Sequence, residues 1–132
     1  MSMSLAQQLA AESIAAVAKG RNLQDVLAAI RAAHPELTAQ ELGALQDIAY
    51  GCQRYLGSLK YMLAQMLKKP IDNPQLESLL LAAMYQLHYT RNAPHAVVNE
   101  AVESIAKIGR GQFRSFANAI LRRFLREKEQ LN

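Results

Sequence analysis

Residues 74–89 read PQLESLLLAAMYQLHY. The preceding Asn73, followed by Pro74, marks a helix start. An asparagine side chain accepts from the first free backbone N–H groups, and proline at the first helical position sacrifices no hydrogen bond. From Leu76 onward the segment is apolar on nearly every side, so no face is left over for water. A helix of that kind belongs at the centre of a bundle, with other helices covering it. The rest of the chain has to supply that cover.

It does so in amphipathic segments of helical period. Towards the C-terminus, Asn92-Ala93-Pro94 repeats the cap-plus-proline signal. A helix then runs through Val97, Val98, Ala101, Val102, Ile105 and Ile108 until Gly109 ends it, and a last helix begins near Gln112. Towards the N-terminus, Leu5, Leu9, Ile14 and Val17 form a stripe closed by Gly20. Asn22 caps a second helix with Leu23, Val26, Leu27 and Ile30 on one face, and Pro35 terminates it. Thr38 and Glu41 have capping-box spacing and open a third. Gly57-Ser58 predicts a kink or break before the helix resumes through Leu59, Met62, Leu63 and Met66. No stretch alternates with the period of a strand. The expectation is an all-α compact bundle of six to eight helices, forming a single domain over residues 1–132.

Composition agrees with this reading. The chain has 132 residues, is 51% hydrophobic and 20% charged, and so has the apolar content to build one core. Its first residues, MSMSLAQQLAAESI, lack the basic start and apolar run of a signal peptide, and the longest apolar run is too short to cross a membrane. The lone Cys52 cannot form an internal disulfide, which fits a reducing cytoplasm.

Conventional catalytic signatures are missing. His34, His88 and His95 are scattered, without metal-ligand spacing, and no glycine-rich loop follows a strand. Cys52 lies on an apolar stripe and reads as a small buried hydrophobe. His88 reads as a hydrogen-bonded interior histidine, and His34 as solvated. Asn99, Glu100 and Glu103 on one helix admit a paired-acid reading. A helix side with a buried, hydrogen-bonded polar pair is the simpler one, which makes Asn99 and Glu100 structural. No catalytic or metal residue is assigned.

Charge is where the sequence is informative. Residues 1–106 hold eight Lys and Arg against nine Asp and Glu, whereas residues 107–132 hold seven against two. The stretch KIGRGQFRSFANAILRRFLR, 107–126, carries Lys107, Arg110, Arg114, Arg122, Arg123 and Arg126 with no acid. Localised positive charge is the footprint of phosphate binding, although basic residues also favour helix ends and solubility. At roughly 100° per residue, Phe113, Phe116, Ala117, Ile120, Leu121 and Phe124 share an apolar face, and Arg122 and Arg126 point away from it. Asn118 and Arg123 fall on its two edges, where Asn118 reads as a buried, structural amide. The loop GRGQFR sets Arg110 and Arg114 beside backbone N–H groups at a helix start, a plausible phosphate seat.

APHAVVNEAVESIAKIG followed by FRSFANAILRRF resembles the paired C-terminal helices of the NusB family. Pro94, Val97, Asn99, Glu100, Ala101, Val102 and Glu103 carry the first helix of that match, and Phe116, Asn118, Ile120 and Leu121 the second. The upstream AAMYQLHYTRNAPHA is similar to the NusB-like N-terminal domain of bacterial small-subunit ribosomal RNA 5-methylcytosine methyltransferases of the Sun/RsmB type, through Tyr85, Gln86, Leu87, Tyr89, Thr90, Arg91, Pro94 and His95. The resemblance implies an all-α fold and RNA binding, with Arg91 as a further contact. Free antitermination factors of the family begin with an arginine-rich helix and work with a ribosomal-protein partner. LAQQLAAESIAAVAKG has no arginine and a lone Lys19, which favours the methyltransferase relatives. A methyltransferase also needs a Rossmann-like domain for S-adenosylmethionine, with a catalytic cysteine. This chain carries no such cofactor site, and its end, REKEQLN, reads as the start of a linker. The expectation is a non-catalytic cytoplasmic module that binds ribosomal RNA for a catalytic domain in the same protein. A protein–protein docking domain is the remaining alternative.

Overall fold

The computed structural model describes residues 3–131, with side chains through Lys128. Of the terminal segment read as the start of a linker, residues 126–131 continue the last helix, and position 132 lies outside the described residues. Among the described residues there are seven helices and no strand: α1 (Ser4–Ala18), α2 (Leu23–Ala33), α3 (Ala39–Arg54), α4 (Leu56–Gln65), α5 (Pro74–Tyr89), α6 (Pro94–Ala106) and α7 (Arg114–Leu131).

Helix α5 occupies the centre and packs against α1, α3, α4, α6 and α7. Its start is as expected: Asn73 Oδ1 accepts from the Leu76 N–H at 3.0 Å, with Pro74 in the first turn. Eleven of its 16 residues are buried, from Leu76 to Leu87. The caps of α2 and α3 also form. Asn22 accepts from Asp25 N–H, and Thr38 and Glu41 complete a reciprocal capping box. At the end of α1, Gly20 takes φ 101°, and the Gly20 and Arg21 N–H groups return to the Val17 and Ala16 carbonyls. This is the Schellman closure, which needs a left-handed residue there.

Several local expectations shift. The break between α3 and α4 falls at Tyr55, with Gly57 and Ser58 already inside the first turn of α4. Its ring stacks on Tyr89 with centroids 4.0 Å apart and planes 6° from parallel. Tertiary stacking thus accompanies the break where the flexible Gly-Ser pair does not. The N-cap of α6 is Ala93 and makes no side-chain cap. The Asn92 amide oxygen accepts instead from Gln86 at 3.2 Å. Along α1 the covered face holds Ala6, Gln7, Ala10, Ala11 and Ser13 beside Leu9 and Ile14, while Val17 is only half-buried.

Gln7 was not anticipated in the core. Fully buried, it donates to Gln86 Oε1 at 2.8 Å and to the Val97 carbonyl at 3.5 Å, joining α1 to α5 and α6. These bonds satisfy its Nε2 group, while its buried Oε1 has no hydrogen-bond partner among the described residues. Lys128 near the end of α7 donates to the Leu87 carbonyl at 2.8 Å, setting a cation against the negative end of α5. His88 is half-buried, edge-on to Tyr89 and Phe124, and its buried Nδ1 has no hydrogen-bond partner. The expected hydrogen-bonded interior histidine is therefore replaced by one held through ring contacts.

Helices α3 and α5 approach closely at one glycine. A Cβ on Gly51 would collide with the Tyr85 ring, and the Tyr85 hydroxyl donates to Asp47 Oδ1 at 2.9 Å. Burial and that hydrogen bond both push the Tyr85 phenol well above its usual range. Gly43, in the same helix, has open space around it. The two glycines should therefore respond oppositely to alanine. Gly43→Ala should raise stability by about 0.5–1 kcal/mol through helix propensity alone. Gly51→Ala should lower it by roughly 1–2 kcal/mol, because forcing the ring aside costs more than the propensity gain. Urea denaturation midpoints of the two variants check the signs.

Candidate nucleic-acid interface

Helix α7 divides as its sequence implies. Ala117, Ile120, Leu121 and Phe124 are buried against α5 and α6, and Phe113 is partly covered. Phe116 is 38% exposed, so the apolar face is wider than the covered one. Facing outward, Arg126 is exposed and Arg122 half-exposed.

The cations of this segment are unevenly available. The Arg114 guanidinium makes a two-pronged pair with Glu103 of α6, at 2.9 and 3.1 Å. Arg123 pairs with Glu127 one turn on, at 3.1 Å. Arg122 donates through Nε to Asn118 Oδ1 at 3.0 Å, which fixes its stem and leaves the outer nitrogens of the fork to a ligand. Lys107, Arg110, Arg126 and Arg91 are exposed and have no ion-pair partner among the described residues. Lys107 and Arg110 lie at the α6–α7 turn. Arg91 lies in the α5–α6 connection, at the end of the bundle where Lys128 meets α5.

Three expectations at this surface change. Asn118 is half-buried and bonded within its own helix, to Arg122, rather than to a neighbouring helix or loop. Asn99 is exposed and Glu100 only partly covered, so no buried polar pair exists there. Asn99, Glu103, Arg114, Ser115 and Asn118 instead line a polar groove of about 280 Å³ between α6 and α7. The backbone of the α6–α7 loop is also largely occupied. Arg110 N–H donates to Gln112 Oε1, and the Gly111 and Arg114 N–H groups go to the Ile108 and Gly111 carbonyls. A phosphate there would meet side chains more than free amides. The Glu103–Arg114 pair had no local signal, since partners eleven residues apart on different helices meet only once the helices pack.

The geometry is that of an all-helical bundle whose last helix turns arginines outward, with α6 packed beside it. The NusB family profile matches residues 4–126. The chain belongs to the NusB family. Within it, the chain is similar to proteins named ribosomal RNA small subunit methyltransferase B. The one from Pectobacterium carotovorum is 35% identical over 124 residues, 90% of this chain and 29% of the relative. That of Cronobacter sakazakii is 32% identical over 128 residues, covering 95% and 29%. That of Pasteurella multocida is 39% identical over 98 residues, covering 73% and 22%. The chain thus spans less than a third of the length of these curated relatives.

For this NusB-family chain the described residues include no cluster of His, Cys, Asp or Glu able to hold a metal ion, and no helix long and apolar enough to cross a membrane. Cys52 is fully buried, with its thiol toward the Leu81 carbonyl at 3.7 Å. Burial foremost, and the nearby Asp47 carboxylate next, push the thiol up to about 12. A thiol so shifted favours the neutral form, and only thiolate is a nucleophile. Its contribution to stability is present below the ordinary thiol value, about 8.5, and is lost as pH climbs towards the folded value. At about pH 8 the native chain should therefore react with a thiol reagent no faster than it unfolds, and labelling should become immediate in denaturant. Rapid native labelling would contradict this burial.

Proposed function

We propose that this chain is an RNA-binding domain that positions small-subunit ribosomal RNA for cytosine-C5 methylation. On this reading, a catalytic domain elsewhere in the same cytoplasmic protein uses S-adenosylmethionine and performs the chemistry. The observation that carries the RNA reading is the division of α7. Its Ala117, Ile120, Leu121 and Phe124 enter the core, which fixes the helix rotation, and Arg122 and Arg126 are left facing outward from an acid-free run. A guanidinium suits phosphate because its planar fork donates two parallel hydrogen bonds. Contacts of this type hold the nucleic acid in register without reading its sequence.

Similarity to relatives named as ribosomal RNA methyltransferases supports the choice of RNA. The arginine-free α1 favours this role over that of a free antitermination factor with a ribosomal-protein partner. The described residues, all helices and connections, offer no strand–glycine loop–helix cradle for S-adenosylmethionine. The part of this chain is to bind and orient: Arg122 and Arg126 on the outward side of α7, Lys107 and Arg110 at its start, and Arg91 beside its far end. Arg114 and Arg123 are held by acids and contribute less.

Two measurements test the proposal. Replacing Arg122 and Arg126 by Gln should lessen the slope of log K against log salt for single-stranded RNA by about 1.4, at about 0.7 per phosphate contact. The loss should be similar for unrelated sequences, and stability should move by no more than about 0.5 kcal/mol. Unaltered affinity and slope would reject this surface. Glu103→Gln should have the reverse effect, because it frees the Arg114 fork and removes a negative charge: RNA affinity should rise and the salt slope steepen.

A further inference from the structure

A cleft of about 720 Å³ opens between α1, the first turn of α5 and the α6–α7 turn. It lies away from Arg122 and Arg126, neither of which lines it. It exists because α1 presents Ala11, Ala15 and Ala16 on that side, where longer side chains would fill the space. Its floor is apolar, from Leu5, Leu9, Leu79 and Ile108. Its rim is cationic, with Lys19, Arg21 and Lys107 against one acid, Glu12, and with His34 and Gln75 alongside.

Two glycine turns bring these cations together. Gly20, at φ 101°, reverses the chain so that both of its neighbours, Lys19 and Arg21, line the cleft. Gly109, at φ 63°, ends the segment that supplies Lys107 and Ile108. Lys19, Arg21 and Lys107 are exposed and have no ion-pair partner among the described residues, unlike Arg114 and Arg123. The cleft has the size of a small-ligand site, with an apolar base and a few charged groups at the edge.

We propose that this cleft seats one nucleotide of a single-stranded RNA. Its base lies on the aliphatic floor, and its flanking phosphates meet Lys19, Arg21 and Lys107. Charge favours a polyanion, and the alanine-lined wall leaves room for a flat ring. Continuity favours RNA over an acidic peptide, because Lys107 begins the acid-free run that leads to the outward face of α7. The proposal rests on the RNA-binding reading above and adds a second contact, joined to the first through Lys107. It also gives α1 a part in binding through residues at its C-terminal end.

The test uses the full chain and a fluorescently labelled oligouridylate, with anisotropy read at several salt concentrations. Lys19→Gln with Arg21→Gln should weaken binding by about 25-fold near 0.1 M salt and reduce the salt slope by about 1.4, which is two phosphate contacts. Ala15→Phe fills the cleft without changing charge. It should weaken binding about tenfold, the order expected for one displaced base, and leave the slope as it is. If the Lys19/Arg21 variant keeps parental affinity and slope while the Arg122/Arg126 variant loses both, the cleft is overturned and the RNA reading stands. If neither variant loses affinity, both readings fall together. An Ala15→Phe chain that melts like the parent yet binds with parental affinity overturns the base seat. Should that chain fail to fold, the exposed-charge variant still decides the matter.

Discussion

Helix α5 is covered on every side, and this requirement organises the molecule. Burial of its leucines, alanines and Met84 removes a large apolar area from water, which is the dominant favourable term in folding. A helix with no solvent face needs neighbours all round it, and five of the other six helices supply them. The cost of such a position falls on its polar groups. Gln86 satisfies its amide through Gln7 and Asn92, Tyr85 satisfies its hydroxyl through Asp47, and the Leu87 carbonyl accepts from Lys128. Each of these bonds reaches a different element, so the polar atoms of α5 help to set the register of α1, α3 and α7 against it.

The same burial determines what the surface can offer. Because Phe124, Leu121 and Ala117 are drawn into the core, the rotation of α7 is fixed and its arginines have one direction left to face. Packing then edits the charge that the sequence presents. Glu103 of α6 reaches Arg114 across the helix pair, in addition to the local pair of Arg123 with Glu127 one turn on, so part of the basic segment is engaged by acids. Among the described residues near α7, Lys107, Arg110, Arg91 and Arg126 stay without an ion pair at its two ends and on its outward side, and Lys19 and Arg21 join Lys107 around the cleft beside α1. An extended anion would meet them as a path over the surface, since they are not gathered at one focus.

Much of this architecture was legible in the sequence, because its causes are local. Asn73-Pro74, Asn22 and the Thr38/Glu41 box are start signals whose partners lie within three or four residues, and each forms where it was read. The apolar period of α7 placed its arginines outward for the same reason: helix geometry converts spacing directly into direction. The readings that moved involve contacts distant in the chain. Asn92 had the type and place of a cap, but Gln86 claims it. Gly57-Ser58 had the composition of a break, but the chain bends at Tyr55, where the ring meets Tyr89. Asn118 had the look of a buried amide, yet it bonds to Arg122 on its own helix.

By itself, then, the sequence determined the helices, their caps, the central place of α5 and the cationic side of α7, since each follows from propensity and period over one or two turns. Only the tertiary structure decided that Arg114 is taken up by Glu103 of a neighbouring helix, whereas Arg123 and Glu127 pair locally within one turn. It also placed Gln7 in the core, tied to Gln86 and Val97, and it set Tyr85 over Gly51. It brought Lys19 and Arg21 to the same cleft as Lys107, more than eighty residues away. These outcomes depend on distances between helices. Such distances are fixed by the side chains that come between two packed surfaces, and no spacing along one strand of sequence carries that information.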